Sequence, residues 1–144
     1  MSATIDANIL VYASDVESQV HRQARTFLEE VTRGPDLVYV FWPVLMSYLR
    51  IVTHPSIFDK PLQPERALAS IDSLLARPHV RTPGEDEAFW HVYRATVEDL
   101  PVRGDLVPDA HVVALMRAHG AGTIWTRDRD FRKFSRILAR DPFE

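Results

Sequence analysis

No cysteine occurs in the 144 residues, which excludes disulfides, thiolate nucleophiles and thiolate metal sites and agrees with a reducing cytoplasm. No uninterrupted apolar run reaches 18 residues, so a transmembrane helix is not expected. The first residues carry no basic stretch ahead of an apolar one and place Asp6 there instead, which gives no support to a secretory signal. The formal charge of -3 provides no whole-molecule positive field for nucleic acid, although local placement decides such binding. Repeats, low-complexity tracts and long linkers are also missing, leaving nothing to divide the chain.

What is present suits one domain spanning residues 1–144. Hydrophobic residues make up 46% and charged residues 26%, an ordinary globular balance with enough chain for a sizeable core. Thr4 to Asp6 reads as the end of a short central strand, with a helix beginning near Asn8. Ala24, Phe27, Leu28 and Val31 recur at helical spacing between about Val20 and Thr32, and Gly34-Pro35-Asp36 ends that run. Leu37 to Val40 suits a buried strand. Phe41 to Thr53 is an unusually apolar helix whose non-apolar stripe is Pro43, Ser47, Arg50 and His54, as expected of a helix central to the domain or shared with a partner. Helices over Glu65 to Ala76, Glu85 to Glu98 and Asp109 to His119 follow, with strands at Val80 and at Thr123 to Trp125. Phe134, Ile137, Leu138 and Phe143 can anchor the tail, and core packing is the default for Trp42, Trp90 and Trp125. Strands alternating with helical crossovers favour an α/β sandwich with a mostly parallel sheet, its strand order open.

Acids recur at comparable places in three segments. Asp6 follows the first strand, Asp109 starts a helix after Leu106-Val107, and Asp128 and Asp130 follow the strand Thr123 to Trp125. Each alone reads equally well as a cap or turn residue. Together, at the carboxyl edge of an open sheet, they would repel one another unless a cation compensates them. Oxygen-only donors favour Mg2+ or Mn2+ over structural zinc, and such an ion can orient water and stabilise charge on a phosphoryl oxygen. From Arg127 to Asp141, six basic residues outnumber three acids. Arg127 and Arg129 there, and Arg103 and Arg50 elsewhere, are candidates for phosphate contact; a solvated face with ion pairs explains the basic run equally well.

At Asp6-Ala7-Asn8, the Trp42-Pro43 to Pro55 region, Asp109-Ala110-His111 and Thr126-Arg127-Asp128-Arg129-Asp130-Phe131, the chain resembles the PIN-domain ribonucleases, specifically VapC-type toxins of bacterial toxin-antitoxin pairs. The resemblance implies a three-layer PIN-like sandwich and a metal-dependent endoribonuclease. It also implies a homodimer, neutralised by a cognate VapB-type antitoxin and acting in the cytoplasm. It assigns Asp6, Asp109 and Asp128 as cation ligands, Asp130 as an assisting acid, and Asn8 and Thr126 as hydrogen-bonding supports. One position departs: Ser47 stands where many members carry a glutamate, and a hydroxyl can orient water without replacing the charge. Two alternatives follow, an RNA- or partner-binding module with little or no catalysis and a metal-dependent DNA nuclease.

Overall fold

The centre of the sheet is the strand β1 (Ala3–Ile5), and its two neighbours come from opposite ends of the chain. On one side lie β2 (Val38–Tyr39) and β3 (Val80–Arg81); on the other lie β4 (Thr123–Trp125) and β5 (Leu138–Arg140), giving the order β3-β2-β1-β4-β5. All four pairings are parallel, so the expected mostly parallel sheet is wholly parallel. The computed structural model describes residues 2–144.

The parallel strands are joined by helices: α1 (Ala7–Ser14) and α2 (His21–Val31) between β1 and β2, α3 (Trp42–Thr53) and α4 (Pro64–Leu75) between β2 and β3, and α5 (Phe89–Thr96) and α6 (Leu106–His119) between β3 and β4. A single 3₁₀ turn (Arg129–Lys133) links β4 to β5. The chain walks outward from β1 and then returns to its other side. With right-handed crossovers, that reversal puts helices on both faces and gives the three-layer α/β sandwich. It also makes the boundary between β1 and β4 the switch point, where side chains beyond the strands' carboxyl ends line a crevice.

Packing falls mainly on α6. Ala110 and the run Val112 to Met116 are buried, so this helix is covered almost all round, as an apolar helix must be. The more apolar-looking α3 is one-sided: Val44, Leu45, Tyr48 and Val52 face the core while Trp42 and Met46 stand out in solvent. Trp90 is likewise 65% exposed, so core packing fails as the default for Trp42 and Trp90. Ile57, Leu68 and Leu138 also lie outside the core, whereas Phe58 and Phe134 enter it.

Two helix starts differ from the sequence expectation, and one strand is added to it. The fifth helix begins at Phe89, because the Asp86 side chain accepts the Ala88 N–H and holds the preceding residues in a turn. The sixth begins at Leu106, which moves Asp109 from the helix start into its first turn. Pro108 is tolerated there because first-turn N–H groups have no partner within the helix. The short β5 extends the sheet beyond the strands expected. After α2, Gly34 has φ 92° and a Cβ there would lie 2.4 Å from the His79 ring, so only glycine fits the stop.

Candidate metal centre

Strand register builds the site. Ile5 pairs with Trp125, so the next residue of each strand, Asp6 and Thr126, emerge side by side. Asp6 caps α1: its Oδ1 accepts the Ala7 N–H at 2.8 Å. Its Oδ2 accepts the Thr126 hydroxyl at 2.8 Å. Capping and site placement are therefore the same geometry in this fold, not rivals. Thr126 is buried, and its Oγ1 also accepts the Asp128 N–H at 2.9 Å. One hydroxyl thus ties the first acid to the backbone of the loop that carries the others.

Asp128 repeats the device. It caps the 3₁₀ turn, and its Oδ1 accepts the Asp130 N–H at 2.9 Å. Asp109 approaches from the first turn of α6, and carboxylate oxygens of Asp109, Asp128 and Asp130 all lie within 4.8 Å of one another. Asp6 stands outside this closest trio yet remains within its electrostatic reach. Burial, then repulsion from Asp128, Asp6, Asp130 and Asp105 in that order, pushes the Asp109 carboxyl up from 3.8 to about 7. Burial also raises Asp6, opposed by its bonds to Thr126 and Ala7, with a smaller push from Asp128.

This donor set fits a hard divalent cation. Carboxylates gathered from separate segments cost free energy when ionised together, and a bound cation removes that cost. The oxygen-only chemistry matches Mg2+ or Mn2+. Asp105, at the cap position of α6, escaped the sequence reading although it acts on Asp109; its signal was a helix starting ahead of Pro108.

The remaining candidates scatter. Asn8 is exposed on α1, and Ser47 is half-buried on α3; neither side chain makes a hydrogen bond among the described residues. Arg50 is exposed beside Leu49, Thr53, Pro64 and Leu68, and Arg103 is exposed in the loop before α6. Neither pairs with an acid among the described residues. Arg127, Asp128, Arg129 and Arg132 line a cleft of about 170 Å³ that Asp141 and Glu144 also border. Part of the basic run is therefore matched by acid: Arg127 pairs with Asp141 at 3.4 Å and Lys133 with Asp130 at 3.1 Å.

Against known proteins, a family model described as PIN domain matches residues 3–137. Ribonuclease VapC48 of Mycobacterium tuberculosis is 52% identical over 143 residues, 99% of each chain. VapBC2 of Rickettsia felis, solved bound to a DNA fragment from its promoter, superposes with a TM-score of 0.71 at 17% identity, covering 98% of both chains. Mycobacterium tuberculosis VapC20, described as a sarcin-ricin loop cleaving toxin, gives 0.66 at 17% identity over 94% of this chain and 98% of its own. At that identity the two structures speak for the fold alone.

Proposed function

The chain belongs to the PIN-domain family, and on that premise we propose that it is a VapC-type ribonuclease toxin that hydrolyses RNA phosphodiester bonds with Mg2+ or Mn2+. The reading is supported chiefly by the convergence of Asp109, Asp128 and Asp130, with Asp6 close enough to repel Asp109. Full-length likeness to a named ribonuclease gives that convergence a chemistry.

Asp6, Asp109 and Asp128 would hold the cation. Bound there, the ion would supply a charge that stabilises the phosphate in the transition state and acidifies water. Asp109 would release its proton as it ligates. Asp130 would hold the loop through its N–H to Asp128 and add charge that Ser47 does not provide. Thr126 would fix which Asp6 lone pairs face the ion, since its hydroxyl engages Oδ2. Arg129, Arg103 and Arg50 would meet RNA phosphates as the strand crosses the edge. Asn8 and Ser47 would act through water, having no hydrogen-bond partner among the described residues.

A VapB-type antitoxin is the expected partner. Exposed Trp42 and Met46 on α3 suit a homodimer contact. No helix among the described residues is long and apolar enough to cross a membrane, in keeping with the proposed work on cytoplasmic RNA.

The test is cleavage-site mapping on total RNA and matched DNA with purified protein, with and without Mn2+, beside Asp6→Asn. Cation-dependent cuts in RNA that Asp6→Asn abolishes while remaining folded are expected. Binding without turnover by wild type across RNAs and divalent ions would leave a binding module, and cuts confined to DNA would reverse the substrate.

A further inference from the structure

The Arg127 guanidinium lies against a pair of aromatic rings, its Cζ 5.6 Å from the Phe143 centroid and 6.0 Å from that of Tyr12. The rings themselves sit 6.2 Å apart at 59°, and Asp141 takes the Arg127 Nε at 3.4 Å while accepting the Phe143 N–H at 2.8 Å. Both ring distances fall within the range where a cation is attracted by an aromatic face. Three segments meet at this one side chain. Tyr12 belongs to α1, the helix that Asp6 caps; Arg127 lies between Thr126 and Asp128; Asp141 and Phe143 follow β5, whose Arg140 carbonyl accepts the Thr126 N–H at 2.8 Å.

We infer that Arg127 is a positioning residue, not a phosphate contact. It clamps the loop bearing Asp128 and Asp130 to the helix capped by Asp6, and so sets the spacing of the acids for a divalent cation. Phe143, Tyr12 and Asp141 are its anchors. This rests on the cation reading given above. Asp141 takes the Nε edge of the guanidinium, one of the N–H edges through which a phosphate would be held, and the two rings hold the group from one side.

Charge alone and clamping predict opposite signs. Deleting a positive charge beside an acidic site tightens a divalent cation by Coulomb's law; releasing the loop weakens it. Mn2+ titration calorimetry on the intact protein, with RNA binding measured in chelator and melting followed for every variant, separates the two. Arg127→Ala and the uncharged change Phe143→Ala should each weaken Mn2+ about tenfold, the scale seen when groups that orient metal ligands are removed. Arg127→Lys should recover most of the loss. Phe143→Leu, which keeps the volume and lacks the π face, serves if Phe143→Ala does not fold. Unchanged or tighter Mn2+ binding by Arg127→Ala overturns the clamp, as does a loss of RNA affinity in Arg127→Ala while Phe143→Ala and Phe143→Leu bind Mn2+ as wild type does. A wild type that takes up no Mn2+ overturns the cation reading itself, and the clamp's role in it.

Discussion

Asp109→Asn should stabilise the metal-free protein at pH 8 and do so less than half as strongly at pH 5. In the folded chain, burial and the neighbouring acids raise the Asp109 pKa from 3.8 to about 7, so between these values the native state holds a proton that the unfolded chain has released. Stability therefore falls as pH rises through that window, with the full loss present above about 7. A rise of roughly three pH units at about 1.4 kcal/mol each sets a ceiling near 4 kcal/mol. Asp109 is partly open to solvent, and screening reduces the effect to on the order of 1–2 kcal/mol. For a chain of this length that corresponds to a melting shift of about 3–8 °C. The assay is thermal melting by circular dichroism in chelator at pH 5 and pH 8, repeated with excess Mn2+. Wild type should melt lower at pH 8 without the ion and gain about 2–3 kcal/mol when Mn2+ stands near a hundredfold over its Kd. Asp109→Asn should lose most of both responses, keeping a small pH slope from Asp6, whose pKa is raised in the same sense. An Asn variant that melts below wild type at pH 8 in chelator, or gains as much from Mn2+, would refute the claim that Asp109 is held at a cost which a cation relieves.

Thr126→Val should weaken Mn2+ by about 10-fold or more and destabilise the fold by about 1–3 kcal/mol, since the Asp6 carboxylate and the Asp128 N–H lose their shared partner; calorimetry and melting test this, and Thr126→Ser should restore both. Phe131→Ala should cost about 3–5 kcal/mol in urea unfolding, because this ring, 1% exposed, holds the acidic loop against the core. Tyr48→Phe removes the 2.6 Å bond to the Ser14 hydroxyl across the α1–α3 contact and should lower stability by about 0.5–1.5 kcal/mol, with Mn2+ affinity unchanged.

The acids were legible in the sequence because each directly follows a strand or opens a turn, and a parallel sheet sends all such positions to one edge. Asp6 and Asp128 carry two signals at once, cap and strand end, and the structure uses both. Asp109 was found although its helix start was misplaced, since Pro108 in the first turn looks like a boundary when it is only tolerated. Other features depended on contacts that span the chain. The strand β5 is three residues long at a sheet edge, too short for alternation to announce it. The surroundings of Arg127 come from Tyr12 and Phe143, and no local pattern pairs residues so far apart. Burial of α6 in place of α3 likewise follows from sheet order, which short-range periodicity leaves open.

The hydroxyl of Thr126 reaches a carboxylate 120 positions earlier, and this separation bears on when, during synthesis, the acidic centre can first exist. A nascent chain ending before Thr123 already contains β1, β2 and β3, yet has no β4 to stand beside β1 and no loop to bring Asp128 alongside Asp109. Every partial product of that length thus lacks the acidic cluster by architecture. The cluster assembles only once β4 has docked beside β1 and carried the Asp128 loop to α6, so a single long-range event sets all of its spacings together.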